Sequence, residues 1–122
     1  MVDDGGPAWL ADAKRAALGF KAISQRMRGA GHSVYVVLLH DRRRPQPWGL
    51  YVGQTSRDPD LRFDQHKAGY KASGAVRRHG VRLMPELLAH LNPMRGWEAV
   101  ELEAALAEAF RDAGVPWVEG GH

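Results

Sequence analysis

Six consecutive apolar residues, Val34-Tyr35-Val36-Val37-Leu38-Leu39, constrain this chain more than any other feature. The run is too short to cross a membrane or to build a long helix, and three of its residues are β-branched valines. Because no polar residue interrupts it, it predicts a strand buried on both faces, central in a sheet that is covered on each side. A chain of 122 residues has room for one such core. Its 44% apolar and 25% charged residues match an ordinary globular domain and exclude disorder throughout.

The neighbouring segments supply the partners of that strand. His40 to Pro47 carries three arginines and two prolines, which cannot continue a ladder, and Trp48-Gly49-Leu50-Tyr51-Val52 then resumes strand character. Together they predict a long-looped hairpin. A third, short strand is expected at Val81-Arg82-Leu83-Met84, although Pro85-Glu86-Leu87-Leu88-Ala89 can equally open a helical turn. Helices are expected over 7–28, where Trp9, Ala13, Ala16, Phe20, Ile23 and Met27 recur at helical spacing, and after Asp58-Pro59-Asp60, whose residue types suit a capped helix start. A short basic segment, residues 75–79, stops at Gly80, and a last helix covers 95–112.

That last helix contains an anomaly. At about 100° per residue, Glu98, Glu101, Ala105, Glu108 and Asp112 share one face, and Ala99, Val100, Leu106, Ala107 and Phe110 the other. Glu103 lies at the centre of the apolar face. A carboxylate aimed at a core needs a partner, a metal or a proton, so Glu103 is either paired with a buried arginine or functional.

Several chemistries are excluded or unsupported. Without cysteine there can be no disulfide scaffold, thiolate zinc site or cysteine nucleophile. The six histidines form no His-x-His or His-Glu-x-x-His pattern, and neither a phosphate-binding glycine loop nor a Gly-x-Ser-x-Gly turn occurs. Met1-Val2-Asp3-Asp4 does not begin an export signal, so a soluble, cytoplasmic chain without a membrane partner is expected. Charge is uneven: residues 41–82 hold ten Lys and Arg against four Asp and Glu, whereas 83–122 hold two against seven. A cationic centre attracts phosphates in a salt-dependent way; the alternative is a solvated arginine-rich face. What remains is an ordered set: Tyr35 and Tyr51 in the two main strands, Arg62 and His66 four apart on one helix face, and Glu103.

In this order the set resembles the GIY-YIG nuclease family. Val34-Tyr35 resembles the end of its first motif, Tyr51-Val52-Gly53 its second, Arg62 and His66 its helix-borne pair, and Glu103 its metal glutamate. The resemblance covers 33–122 and leaves 1–32 as an N-terminal helical extension. Ser33 stands where the family usually has glycine, and Glu119 stands near the place of its C-terminal asparagine. The resemblance implies an α/β domain with a three-stranded antiparallel sheet flanked by helices. It further implies a metal-dependent endonuclease acting on DNA, with Mg²⁺ or Mn²⁺ held by Glu103 and waters. Arg62 would neutralise phosphate charge, His66 would orient water or Tyr35, and Tyr35 would be the base, with Tyr51 positioning the water. A tyrosine has an ordinary pKa of about 10, so this role calls for a cation that lowers it. Arg42, Arg43, Arg44, Lys67, Lys71, Arg77 and Arg78 are the candidate DNA contacts. Two other readings stand beside this one: a non-cleaving nucleic-acid-binding module of the same fold, and a small interaction protein that uses Trp9 and Phe20 on its first helix. The sequence leaves DNA structure, specificity and oligomeric state open.

Overall fold

In the computed structural model, which describes residues 7–21 and 31–121, the chain forms one four-stranded mixed sheet with helices on both faces. The apolar run becomes β1 (Ser33–His40), and β2 (Trp48–Thr55) pairs with it antiparallel along its whole length, from Ser33 opposite Thr55 to His40 opposite Trp48. On the other side of β1 lies β3 (Gly80–Leu83), also antiparallel. These are the three strands the sequence indicates.

The expected three-stranded sheet needs a correction, because β4 (Val118–Gly120) adds a fourth strand parallel to β2, giving the order β3-β1-β2-β4. A three-residue strand carries no readable alternation. It pairs because the preceding helix and the turn at Gly114, at φ 95°, return the chain to the open edge of β2. Gly49 permits that approach, since a Cβ there would lie 2.6 Å from the Trp117 carbonyl oxygen.

Alternation along β1 builds two apolar layers. Val34, Val36 and Leu38, with Leu50 and Val52 of β2, face α1 (Leu10–Leu18), a 3-10 turn (Pro85–Leu87) and α4 (Gly96–Asp112). Tyr35, Val37 and Leu39 face α2 (Pro59–Ala68) and α3 (Gly74–His79), where Phe63, Val76 and Trp117 pack on them. Both faces of β1 are therefore covered, as its unbroken apolarity requires. Where β3 ends, Asn92 continues the edge of β1: its side-chain oxygen accepts from the Val34 N–H at 3.0 Å and its amide donates to the Val34 carbonyl at 2.7 Å.

The helices depart from expectation in three places. The first ends at Leu18 rather than near residue 28, capped by Gly19, a residue with poor helix propensity; Ile23 and Met27 lie outside the described residues. Trp9 and Phe20 pack against the core together with Ala13 and Ala17, so this helix is part of the one core. In α4, Val100 is 51% exposed, because the seam against the sheet runs through Ala99, Glu103, Leu106 and Phe110. Glu98, assigned to the polar face, is only 4% exposed and folds back in the first turn to accept from the Arg95 N–H at 2.9 Å. By contrast α2 starts as its sequence indicates, with Asp58 accepting from the Asp60 N–H and Pro59 in the first position. Among the described residues no helix is long and apolar enough to cross a membrane.

Candidate active site

Tyr35 and Tyr51 occupy odd positions on adjacent antiparallel strands, so both rings emerge on the face covered by α2 and α3, with centroids 6.1 Å apart. Gly53, opposite Tyr35, makes room for them: a Cβ there would lie 2.6 Å from the Tyr35 hydroxyl and 2.8 Å from the Tyr51 ring. The third member arrives from α2, where His66 is 1% exposed and stands edge-on to Tyr51 at 5.7 Å.

Both nitrogens of His66 are engaged, and their partners define its proton. Nδ1 lies 2.9 Å from the backbone amide of Ser73, which can only donate, so Nδ1 carries no hydrogen. The neutral ring then bears its hydrogen on Nε2, which donates to the Tyr35 hydroxyl oxygen at 2.8 Å. Burial, helped by the Arg62 guanidinium, pushes the His66 pKa down to about 4, which keeps the ring in this neutral form. Tyr35 is thus an acceptor toward His66, and its own hydrogen is free to point toward Tyr51.

Arg62 lies one helical turn before His66. Its guanidinium donates to Gln65 Oε1 at 3.1 Å, to the Tyr70 carbonyl at 3.2 Å and to the Lys71 carbonyl at 2.7 Å. The fork holds the α2–α3 loop while its charge acts on the site. That charge favours ionisation of both tyrosines, as the sequence reading requires, but it does not prevail. Burial, reinforced by Tyr51, raises the Tyr35 pKa well above the ordinary phenol value, and burial raises that of Tyr51. Of the two cations that could lower the tyrosine pKa, Arg62 and the metal, the arginine by itself does not outweigh desolvation.

Glu103 reaches the end of β2 from α4 and is 6% exposed. Its partner is an amide, not an arginine: Gln54 Nε2 donates to Oε1 at 2.8 Å, and among the described residues no ion pair involves Glu103. Every buried side-chain nitrogen or oxygen atom has a partner among the described residues. The charge of Glu103 opposes ionisation of both tyrosines, which places it within electrostatic reach of them. No cluster of three or more His, Asp or Glu side chains that could hold a metal occurs among the described residues, so a cation at Glu103 would keep water in most of its shell. A carboxylate with no ion-pair partner among the described residues fits a Mg²⁺- or Mn²⁺-type ion, which keeps most of its waters.

The basic residues divide. Arg42 and Arg43 are exposed, in a loop tied by the Arg43 N–H donating to Asp41 at 3.0 Å. Arg44 lies over the Trp117 ring at 3.7 Å. Lys67 directs its ammonium at the carbonyls of Val76, Arg77 and Gly80 at 3.0–3.4 Å, closing the C-terminus of α3. Lys71, Arg77 and Arg78 are exposed. Two participants, Gln54 and Ser73, escape sequence reasoning. Gln54 had a usable signal, a polar side chain at the strand end turned toward α4. Ser73 contributes its backbone amide and had no signal. Glu119, opposite Tyr51 in register, accepts from the Trp117 indole N–H at 2.9 Å, a pairing visible only once β4 forms. In comparisons with known proteins, no family model, curated protein or solved structure matches this chain.

The His66 arrangement carries a pH signature. Between the ordinary histidine pKa of about 6.5 and about 4, the unfolded chain binds a proton that the folded chain refuses, so stability falls as pH drops through that window. The expected loss is about 2 kcal/mol, allowing for solvent screening. Denaturant melts at several pH values should show this slope in the wild type and a flattened one in His66→Gln. An equal slope in both would assign it to another group.

Proposed function

We propose that this chain is a divalent-metal-dependent endonuclease that hydrolyses phosphodiester bonds in DNA. The observation that carries this reading is the assembly of Tyr35, Tyr51, Arg62 and His66 at one end of the sheet, with Glu103 within electrostatic reach, from positions spread over 35–103 of the sequence. Glu103 would hold the cation, which when bound supplies charge stabilisation at the scissile phosphate. Tyr35 presents its hydroxyl oxygen to a water or its proton, held in place by the His66 N–H. Tyr51 positions the water beside it, and Arg62 supplies positive charge toward the phosphate. The test is a nicking assay on branched, single-stranded and duplex DNA with and without Mn²⁺, comparing wild type with Glu103→Ala. Absence of metal-dependent nicking on all three substrates would overturn the reading.

One observation favours a second reading, binding without cleavage: both tyrosines are held above the usual phenol range, which disfavours a phenolate base. DNA affinity with no turnover would select it.

Both readings use the basic loop. Replacing Arg42, Arg43 and Arg44 with alanine should weaken affinity for every DNA sequence and flatten its salt dependence. Because Arg44 is engaged by Trp117, two phosphate contacts rather than three are expected to disappear, lowering the log–log slope on duplex DNA by about 1.8. Titrations of affinity against salt measure this, and parallel slopes would show that the loop does not meet DNA.

A further inference from the structure

The loop between α2 and α3 is held from inside and turned outward. Gly69 closes α2 at φ 92°, and Lys71 adopts φ 44°, a left-handed backbone that residues with side chains seldom take. The anchors compel it: the Tyr70 N–H donates to the Gln65 carbonyl at 2.9 Å, Arg62 binds the carbonyls of Tyr70 and Lys71, and the Ser73 N–H binds His66. With its backbone engaged inward, Tyr70 turns its ring to solvent, where it is 56% exposed, and the Lys71 ammonium stands 5.6 Å from the ring centroid.

The segment that carries this ring is basic, although the exposed Asp64 stands just before it. Residues 65–82 contain five Lys and Arg and no Asp or Glu. Lys67 is engaged by α3 and Arg82 is paired with Glu86, which leaves Lys71, Arg77 and Arg78 exposed nearby. An exposed aromatic face flanked by cations matches a nucleobase face flanked by phosphates. Within a duplex the bases stack on one another, so such a ring can be used only by a base that is unpaired.

We propose that Tyr70 is a stacking platform for an unpaired base at the rim of the Tyr35–Tyr51–His66 site, which makes the substrate class DNA with a single-stranded segment at the cleavage point. This inference rests on the nuclease reading. Arg62 links the two: the guanidinium that holds the Tyr70 carbonyl also acts on the tyrosines, so a base on Tyr70 places its neighbouring phosphate toward them.

The test is fluorescence anisotropy in EDTA, with a labelled oligo-dT strand and a labelled blunt-ended, loop-free duplex of equal phosphate number, using wild type, Tyr70→Ala and Tyr70→Trp. Circular dichroism melts verify folding; the anchoring bonds use the backbone of residue 70 and survive both substitutions. Tyr70→Ala should weaken oligo-dT binding about 5- to 150-fold, the range of one lost base–aromatic stack, and blunt-duplex binding by less than about twofold. Tyr70→Trp should restore oligo-dT binding. Equal losses on both probes, no loss on oligo-dT, or failure of tryptophan to restore binding would each overturn the platform while leaving the nuclease reading intact. Wild-type protein that binds neither probe would overturn both.

Discussion

Glu103→Ala is expected to abolish divalent-dependent nicking while leaving the fold and DNA affinity in place. Metal-derived charge stabilisation is worth several kcal/mol at the transition state, which corresponds to a loss of about 10³-fold or more. The structural cost is small for a stated reason. Truncation removes a carboxylate from a 6% exposed position, which relieves desolvation, and deprives the half-buried Gln54 amide of its acceptor, which costs about 1 kcal/mol. The melting temperature should therefore stay within about 5 °C of wild type. Glu103→Gln keeps the volume and an acceptor for Gln54 but lacks the charge, so it should be equally inactive and closer still in stability. Nicking assays across Mn²⁺ concentrations, paired with thermal melts, test this. Retained nicking in Glu103→Gln would remove the metal role; unfolding of both variants would make Glu103 a structural residue.

Tyr35→Phe is expected to lose both turnover and stability. On sequence alone the substitution removes one hydroxyl and leaves the ring packed, so its melting temperature should not change. The structure alters that expectation, because the hydroxyl oxygen is the acceptor for the His66 Nε2–H, and phenylalanine would leave that donor unpaired beside a 1% exposed ring. A buried unsatisfied donor costs about 1–3 kcal/mol, or roughly 4–12 °C for a domain of this size. The catalytic and structural contributions separate in a double-mutant cycle. Tyr35→Phe combined with His66→Leu removes both partners of this bond but also takes the acceptor from the Ser73 N–H, so the double variant should lose less stability than the two single losses summed, while nicking stays absent. Normal nicking by Tyr35→Phe would return this tyrosine to a packing role. Fully additive losses would show that the loss in Tyr35→Phe does not come from the orphaned histidine.

Much of the fold was legible because its signals are local. The run from Val34 to Leu39 demanded cover on both faces and received it, and Asp58-Pro59 began a helix where its chemistry indicated. Glu103 stood out because a carboxylate on an apolar helix face breaks the local pattern. Where local signals were weak or misleading, tertiary contacts prevailed: α1 stopped at Gly19, Val100 turned outward and Glu98 inward, and three residues near the C-terminus became a strand.

Sequence by itself therefore determined the element types, the central strand and the identity of the chemically unusual residues, since periodicity, capping and charge act over a few neighbouring positions. Only the tertiary structure decided that Gln54 rather than an arginine holds Glu103, that the Ser73 amide makes His66 a donor to Tyr35, and that Lys67 serves α3. Those outcomes depend on hydrogen bonds between residues brought together by folding. A backbone amide looks the same in every sequence, so its choice of partner is made by geometry alone.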